Sequence, residues 1–283
     1  MSYRAIKESL QSVPTMEGAG VRLVRAFGHG QVPLFDPFLM LDDFHSSDPA
    51  DYLAGFPWHP HRGIETITYL LEGEVEHSDS MGNKGILRSG DIQWMTAGSG
   101  VIHQEMPHVS PTGTMWGFQF WSNLPAAHNM MAPRYQDIQA ADIPEVTLPG
   151  AVTVKVMAGA VYGVVGPVQD IISEPEMLDI TVPAGTQFEH PLPEGHTAFA
   201  YILTGEACFD GSAKAYHRET VLLFEREGAA VKVVTGGETS RFLLISGKPL
   251  GEPVAWGGPI VMNSREELQL AFREYEQGTF IKP

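Results

Sequence analysis

Residues 56–73 read FPWHPHRGIETITYLLEG, and the second half of that stretch decides the fold. Glu65–Leu71 (ETITYLL) alternates as a half-buried strand does, and Glu72-Gly73 then supplies a tight turn. The pattern returns later in the chain. ETITYLLEGEVEHSDSMG at 65–82 is echoed by TAFAYILTGEACFDG at 197–211, each reading as strand, glycine turn, strand. Further alternating segments at Val152–Met157 and Phe242–Ser246, with turn signals at Ser89-Gly90 and Gly236-Gly237, extend the regularity. Short strands separated by turns predict an all-β sandwich or barrel rather than alternating βαβ units. The internal echo predicts two of them in tandem.

Length and composition agree. At 283 residues, with 43% hydrophobic and 18% charged residues, the chain is large enough for two domains with substantial cores. The boundary is expected in the Pro-containing polar stretch 136–149, giving domains 1–140 and 141–283. One helix is expected near the C-terminal end. Asn263 or Ser264 can cap it, Glu266 and Glu267 suit its first turn, and Leu268, Ala271, Phe272 and Tyr275 form an apolar stripe.

Thirty-four acidic against 18 basic residues give a net charge of −16, which disfavours phosphate backbones and anionic lipid as partners. Residues 1–20 lack the apolar core of a signal peptide, and no apolar run is long enough to span a bilayer. We therefore expect a cytoplasmic protein. Cys208 is the sole cysteine, so any metal must be held by nitrogen and oxygen ligands.

Such ligands recur in pairs. His59 and His61 stand at i and i+2, so on a strand both side chains leave one face, with Cα atoms roughly 6–7 Å apart. Glu65, four residues beyond His61, faces the same way by parity. His103 and Glu105 form a second i, i+2 pair after the Gly98–Gly100 turn. A lone histidine on a strand is more often a hydrogen-bonded or surface residue. Two such pairs in Gly-punctuated strands point instead to one divalent ion with open coordination positions, the arrangement of a mononuclear non-haem iron site. Parity leaves Glu65 and Glu105 as rival carboxylate ligands.

GFPWHPHRGIETITYLLEG (55–73) followed by GDIQWMTAGSGVIHQEMP (90–107) resembles the paired cupin motifs of the pirin family. DPFLMLDDF (36–44) and GPIVMNSREEL (258–268) are similar to other pirin stretches. The resemblance implies two tandem antiparallel cupin (jelly-roll) barrels, with Fe(II) or another divalent metal in the first. It also implies ligation by His59, His61, His103 and Glu105. The second module departs from a metal-binding cupin, because His190 and His196 stand six residues apart across a Pro-Gly turn and no HxE pair follows.

Pirins resemble quercetin 2,3-dioxygenases, which open the heterocyclic ring of a flavonol with O2 and release carbon monoxide. The expected partners are thus a small phenolic substrate and O2, with Glu105 as the carboxylate that takes the substrate proton and Glu65 as its runner-up. Phe44, Trp94, Met95, Met106 and Phe118 are candidate pocket walls, and Asp42 and Asp43 candidate polar contacts. The family also resembles non-enzymatic, redox-sensitive regulators that bind a transcription factor or a metabolic enzyme. A monomer is expected.

Overall fold

The computed structural model describes residues 2–282, in which strands dominate and a single α-helix, Arg265–Glu276, occurs. Two compact units divide the chain. Val13–Ala140 with the residues from Leu250 onward form one, and the residues up to Ser12 with Ala141–Pro249 form the other. A plain division into 1–140 and 141–283 is therefore corrected at both ends. Ile6–Gln11 pairs antiparallel with Thr220–Phe224 and so completes the second sheet. Ile260 bridges to Arg62, which draws the segment beyond Leu250 to the first barrel.

The first unit is built on a seven-stranded antiparallel sheet. Its order is Arg134–Ile138, Ile92–Thr96, Ile64–Glu72, Met115–Asn123, Phe38–Ser46, Val21–Phe27 and Val13–Glu17. A four-stranded sheet joins it, in the order Phe56–His61, Val101–His108, Glu74–Asp79 and Lys84–Arg88. Side chains alternate across these strands. On the Ile64–Glu72 strand Thr66, Thr68 and Leu70 take one face, while Glu65, Ile67 and Tyr69 take the other.

The second unit repeats the plan. Thr197–Thr204 lies between Thr220–Phe224 and Ser240–Gly247, third in its own seven-stranded sheet. Its interior is filled by aliphatic and aromatic side chains, among them Val154, Ile180, Ile202, Phe242 and Leu244. The echoed sequences occupy equivalent places, each a strand that passes through a glycine turn into a second strand of another sheet, and the turn residues Gly73 and Gly205 have φ of 110° and 68°. The helix begins at Ser264, whose hydroxyl accepts from the Glu267 amide, while the Glu267 side chain returns to the Ser264 amide. Its stripe is narrower than the sequence suggests. Ala271 is buried, but Phe272 and Tyr275 remain 37% and 39% exposed.

Candidate metal centre

Strand pairing brings the three histidines together. Phe56–His61 runs antiparallel to Val101–His108, with His59 directly opposite His103. His61 leaves the same face two residues later. The ring nitrogen Nε2 of His59 lies 3.0 Å from Nε2 of His61 and 2.9 Å from Nε2 of His103. All three ligand atoms fall within 4.8 Å of one another.

For two of the rings the far nitrogen fixes what the converging one carries. His59 Nδ1 is 2.8 Å from the Pro57 carbonyl, and His61 Nδ1 is 2.8 Å from the Pro259 carbonyl. A carbonyl only accepts, so both Nδ1 atoms bear the proton and both Nε2 atoms present lone pairs. Lone pairs facing each other at 3.0 Å call for a cation between them. A proton is a poor candidate at His61, because burial, reinforced by His59, holds its pKa down to about 3. Burial and the neighbouring imidazoles likewise keep His103 well below the ordinary histidine range. Imidazoles converging in this way suit a divalent ion, and two bonds of about 2.1 Å at right angles span roughly 3 Å.

Glu105 stands beside this cluster and not within it. Its carboxylate accepts from the Thr68 hydroxyl at 2.8 Å and from the Gln119 amide at 3.1 Å. It lines the same cavity as His59 and His61.

Glu65 does not face the histidines. Parity counted from His61 fails because the chain turns at Arg62-Gly63, where Gly63 takes φ of 80°. On the Ile64–Glu72 strand Glu65 and Thr68 are an odd number of residues apart and leave opposite faces. Glu65 instead accepts from the Thr96 hydroxyl at 2.7 Å. Burial pushes its carboxyl up to about 7.

A cavity of about 640 Å³ opens in front of the histidines, in the range of small-molecule sites. Trp121, Trp256, Met40 and Leu23 give it apolar walls, and Arg25, Asp42, Glu17 and Gln119 give it a polar side. Arg25 binds Asp42 through two bonds of 2.7 Å and Glu17 at 2.9 Å. Of the residues expected around the pocket only Asp42 lines it. Phe44, Trp94, Met95, Met106 and Phe118 do not. Trp94, Phe118 and Asp43 have the wrong parity for that face, and Phe44 packs with Leu70 and Met115. Gln119, a polar residue amid the aromatic run Phe118–Trp121, carried a sequence signal that a parity count would have caught. Trp256 and Pro259 carried none, lying almost two hundred residues from His61.

Two jelly-roll barrels, one holding convergent histidines at the floor of a cavity, define a bicupin with a candidate metal centre. The pirin profile matches residues 20–122 and that of the pirin C-terminal cupin domain residues 177–281, so the chain belongs to the pirin family. A pirin-like protein of Caulobacter vibrioides is 42% identical over 99% of this chain and 100% of its own. The crystal structure of a quercetin 2,3-dioxygenase from Acinetobacter baumannii superposes with a TM-score of 0.89 at 30% identity, covering 99% of both chains. The Escherichia coli pirin YhhW in complex with nickel(II) matches with a TM-score of 0.65 at 21% identity, covering 86% of this chain and 99% of its own.

Proposed function

We propose that this pirin is an iron-dependent dioxygenase that opens the heterocyclic ring of a flavonol such as quercetin with O2 and releases carbon monoxide. The observation that carries the reading is the set of Nε2 lone pairs at the floor of a half-apolar cavity. His59, His61 and His103 would hold the ion, with Glu105 as the carboxylate ligand. Iron is favoured by a mixed imidazole and carboxylate donor set with open positions. A divalent ion there supplies positive charge that lowers the pKa of the flavonol 3-hydroxyl, and room for O2 beside it. The nickel-bound relative supports a divalent ion in this fold, and the Acinetobacter dioxygenase supports the reaction.

The chain's own groups account for the rest. Glu105 is the base that receives the hydroxyl proton, and Thr68 and Gln119 aim its carboxylate. Trp121 and Trp256, with ring centroids 5.7 Å apart, form an apolar wall against which a planar polyphenol can stack. Asp42 and Glu17 offer acceptors to its outer hydroxyls, while Arg25 offsets their charge.

Protein loaded anaerobically with Fe(II) and then given quercetin and O2 should consume oxygen as the flavonol absorbance band disappears. No turnover with Fe(II), Mn(II), Ni(II), Co(II) or Cu(II) would sink the dioxygenase reading for this substrate and leave the regulator reading in its place.

A further inference from the structure

His61 takes its orientation from a distant part of the chain. The Pro259 carbonyl that accepts from its Nδ1 belongs to the segment beyond Leu250, and Trp256, Gly258 and Pro259 also wall the cavity. That segment is tied down at the very next residue, Arg62. Its guanidinium is buried, at 2% exposure, and every contact it makes is a holding one. Nε donates to the Ser99 carbonyl at 2.8 Å, one terminal nitrogen to Glu274 at 2.7 Å and the other to the Phe280 carbonyl at 2.7 Å. The plane of charge lies 4.1 Å from the Phe280 ring centroid. On the backbone, the Val261 amide donates to the Arg62 carbonyl at 3.1 Å. At Gly63 a Cβ would lie only 1.8 Å from the Val261 oxygen, so the two strands meet without a spacer.

We propose that Glu274, through Arg62, is a positioning residue for the metal centre. The helix carboxylate locks the guanidinium, the guanidinium holds Phe280 by its carbonyl and ring, Phe280 packs with Ile260 and Met262, and the adjoining Pro259 carbonyl then fixes the tautomer and ring plane of His61. A partner of this kind on the far nitrogen of a metal-bound imidazole commonly changes affinity by 10- to 100-fold. This inference rests on the reading of His59, His61 and His103 as metal ligands.

The test measures Ni(II) affinity against a competing chelator, and the visible spectrum of the Co(II) form, for the full chain and three variants. Glu274→Ala should weaken Ni(II) binding at least tenfold and shift the Co(II) bands. Glu274→Gln, which keeps an acceptor for Arg62, should stay within about threefold of the unaltered protein. Ser264→Ala, which removes the helix cap without touching Arg62, should lower the melting temperature and leave affinity and spectrum alone. Glu274→Ala binding within threefold and with an unchanged Co(II) spectrum would overturn the proposal. So would an equal loss of affinity in Ser264→Ala, since that would mark general loosening. If the unaltered protein bound neither ion, the metal reading itself would fall. Should Glu274→Ala fail to fold because it strands a buried cation, the paired Arg62→Met/Glu274→Met variant carries the same test. It should show the same tenfold loss, and near-normal binding by it would overturn the proposal.

Discussion

At the scale of single residues, the decisive feature is which nitrogen of each imidazole carries hydrogen. The carbonyls behind His59 and His61 settle it for two of the three, and the two carboxylates nearby should matter to the centre differently. Glu105→Gln should cut Fe(II) or Ni(II) content sharply, because it removes the carboxylate that lines the cavity with His59 and His61. Glu65→Gln should leave metal content unchanged, since Glu65 faces the opposite side of its strand. Equal losses in both variants, read by elemental analysis, would contradict the placement. The same buried groups govern stability without metal. His61 stays neutral in the fold down to about pH 3, whereas its unfolded counterpart binds a proton near 6.5. The unfolded state therefore binds more protons between those values. Stability should fall as pH drops through that window, by up to about 1.4 kcal/mol per pH unit for each such histidine. Glu65 acts with the opposite sign. Its folded pKa of about 7 lies above its unfolded value, so its contribution is present at acid pH and lost as pH rises through 7. Chelator-treated Glu65→Gln should accordingly melt above the unaltered protein at pH 8 and show no such gain at pH 5. The three histidines were legible in the sequence because an i, i+2 spacing survives in any strand. The carboxylate was not, because Glu65 and Glu105 differ only in a turn that spacing does not reveal.

At the scale of elements, the strands and their turns followed from alternation and glycines, and the helix from its cap and acidic first turn. What alternation could not foresee was the break between Phe56–His61 and Ile64–Glu72. Gly63 makes that break with a left-handed φ and a contact that admits no side chain. Gly63→Ala should destabilise the protein by roughly 3 kcal/mol or more, in backbone strain and displaced Val261, and thermal unfolding would register it. A variant that melted within a degree or two of the unaltered protein would show that the Val261 contact yields easily. Loss of the Ser264 cap should cost about 1 kcal/mol by the same measurement. The aromatic residues expected on the pocket wall erred for a related reason. In strands buried on both faces, such as Ile92–Thr96, hydrophobicity no longer says which face looks into the cavity.

For the whole molecule, charge and chain order matter most. A net charge of −16 works against compaction, so raising salt from about 10 to 150 mM should raise the melting temperature by screening that repulsion. A lower temperature in salt would point to attractive ion pairs outweighing it. Bicupin architecture was readable from the repeat at 65–82 and 197–211, but the exchange of end segments between units was not. Nothing local in residues 250–283 marks them as part of the first barrel. Chain order then has a consequence for synthesis. A ribosome delivers the histidines of the first barrel early, yet Pro259, Arg62's partner Glu274 and the wall residue Trp256 emerge only after the second barrel has been made. For most of translation the three histidines are present without the carbonyl that orients His61. A metal centre at these histidines would therefore reach its full affinity only in the finished chain, and the growing one would hold an ion more weakly.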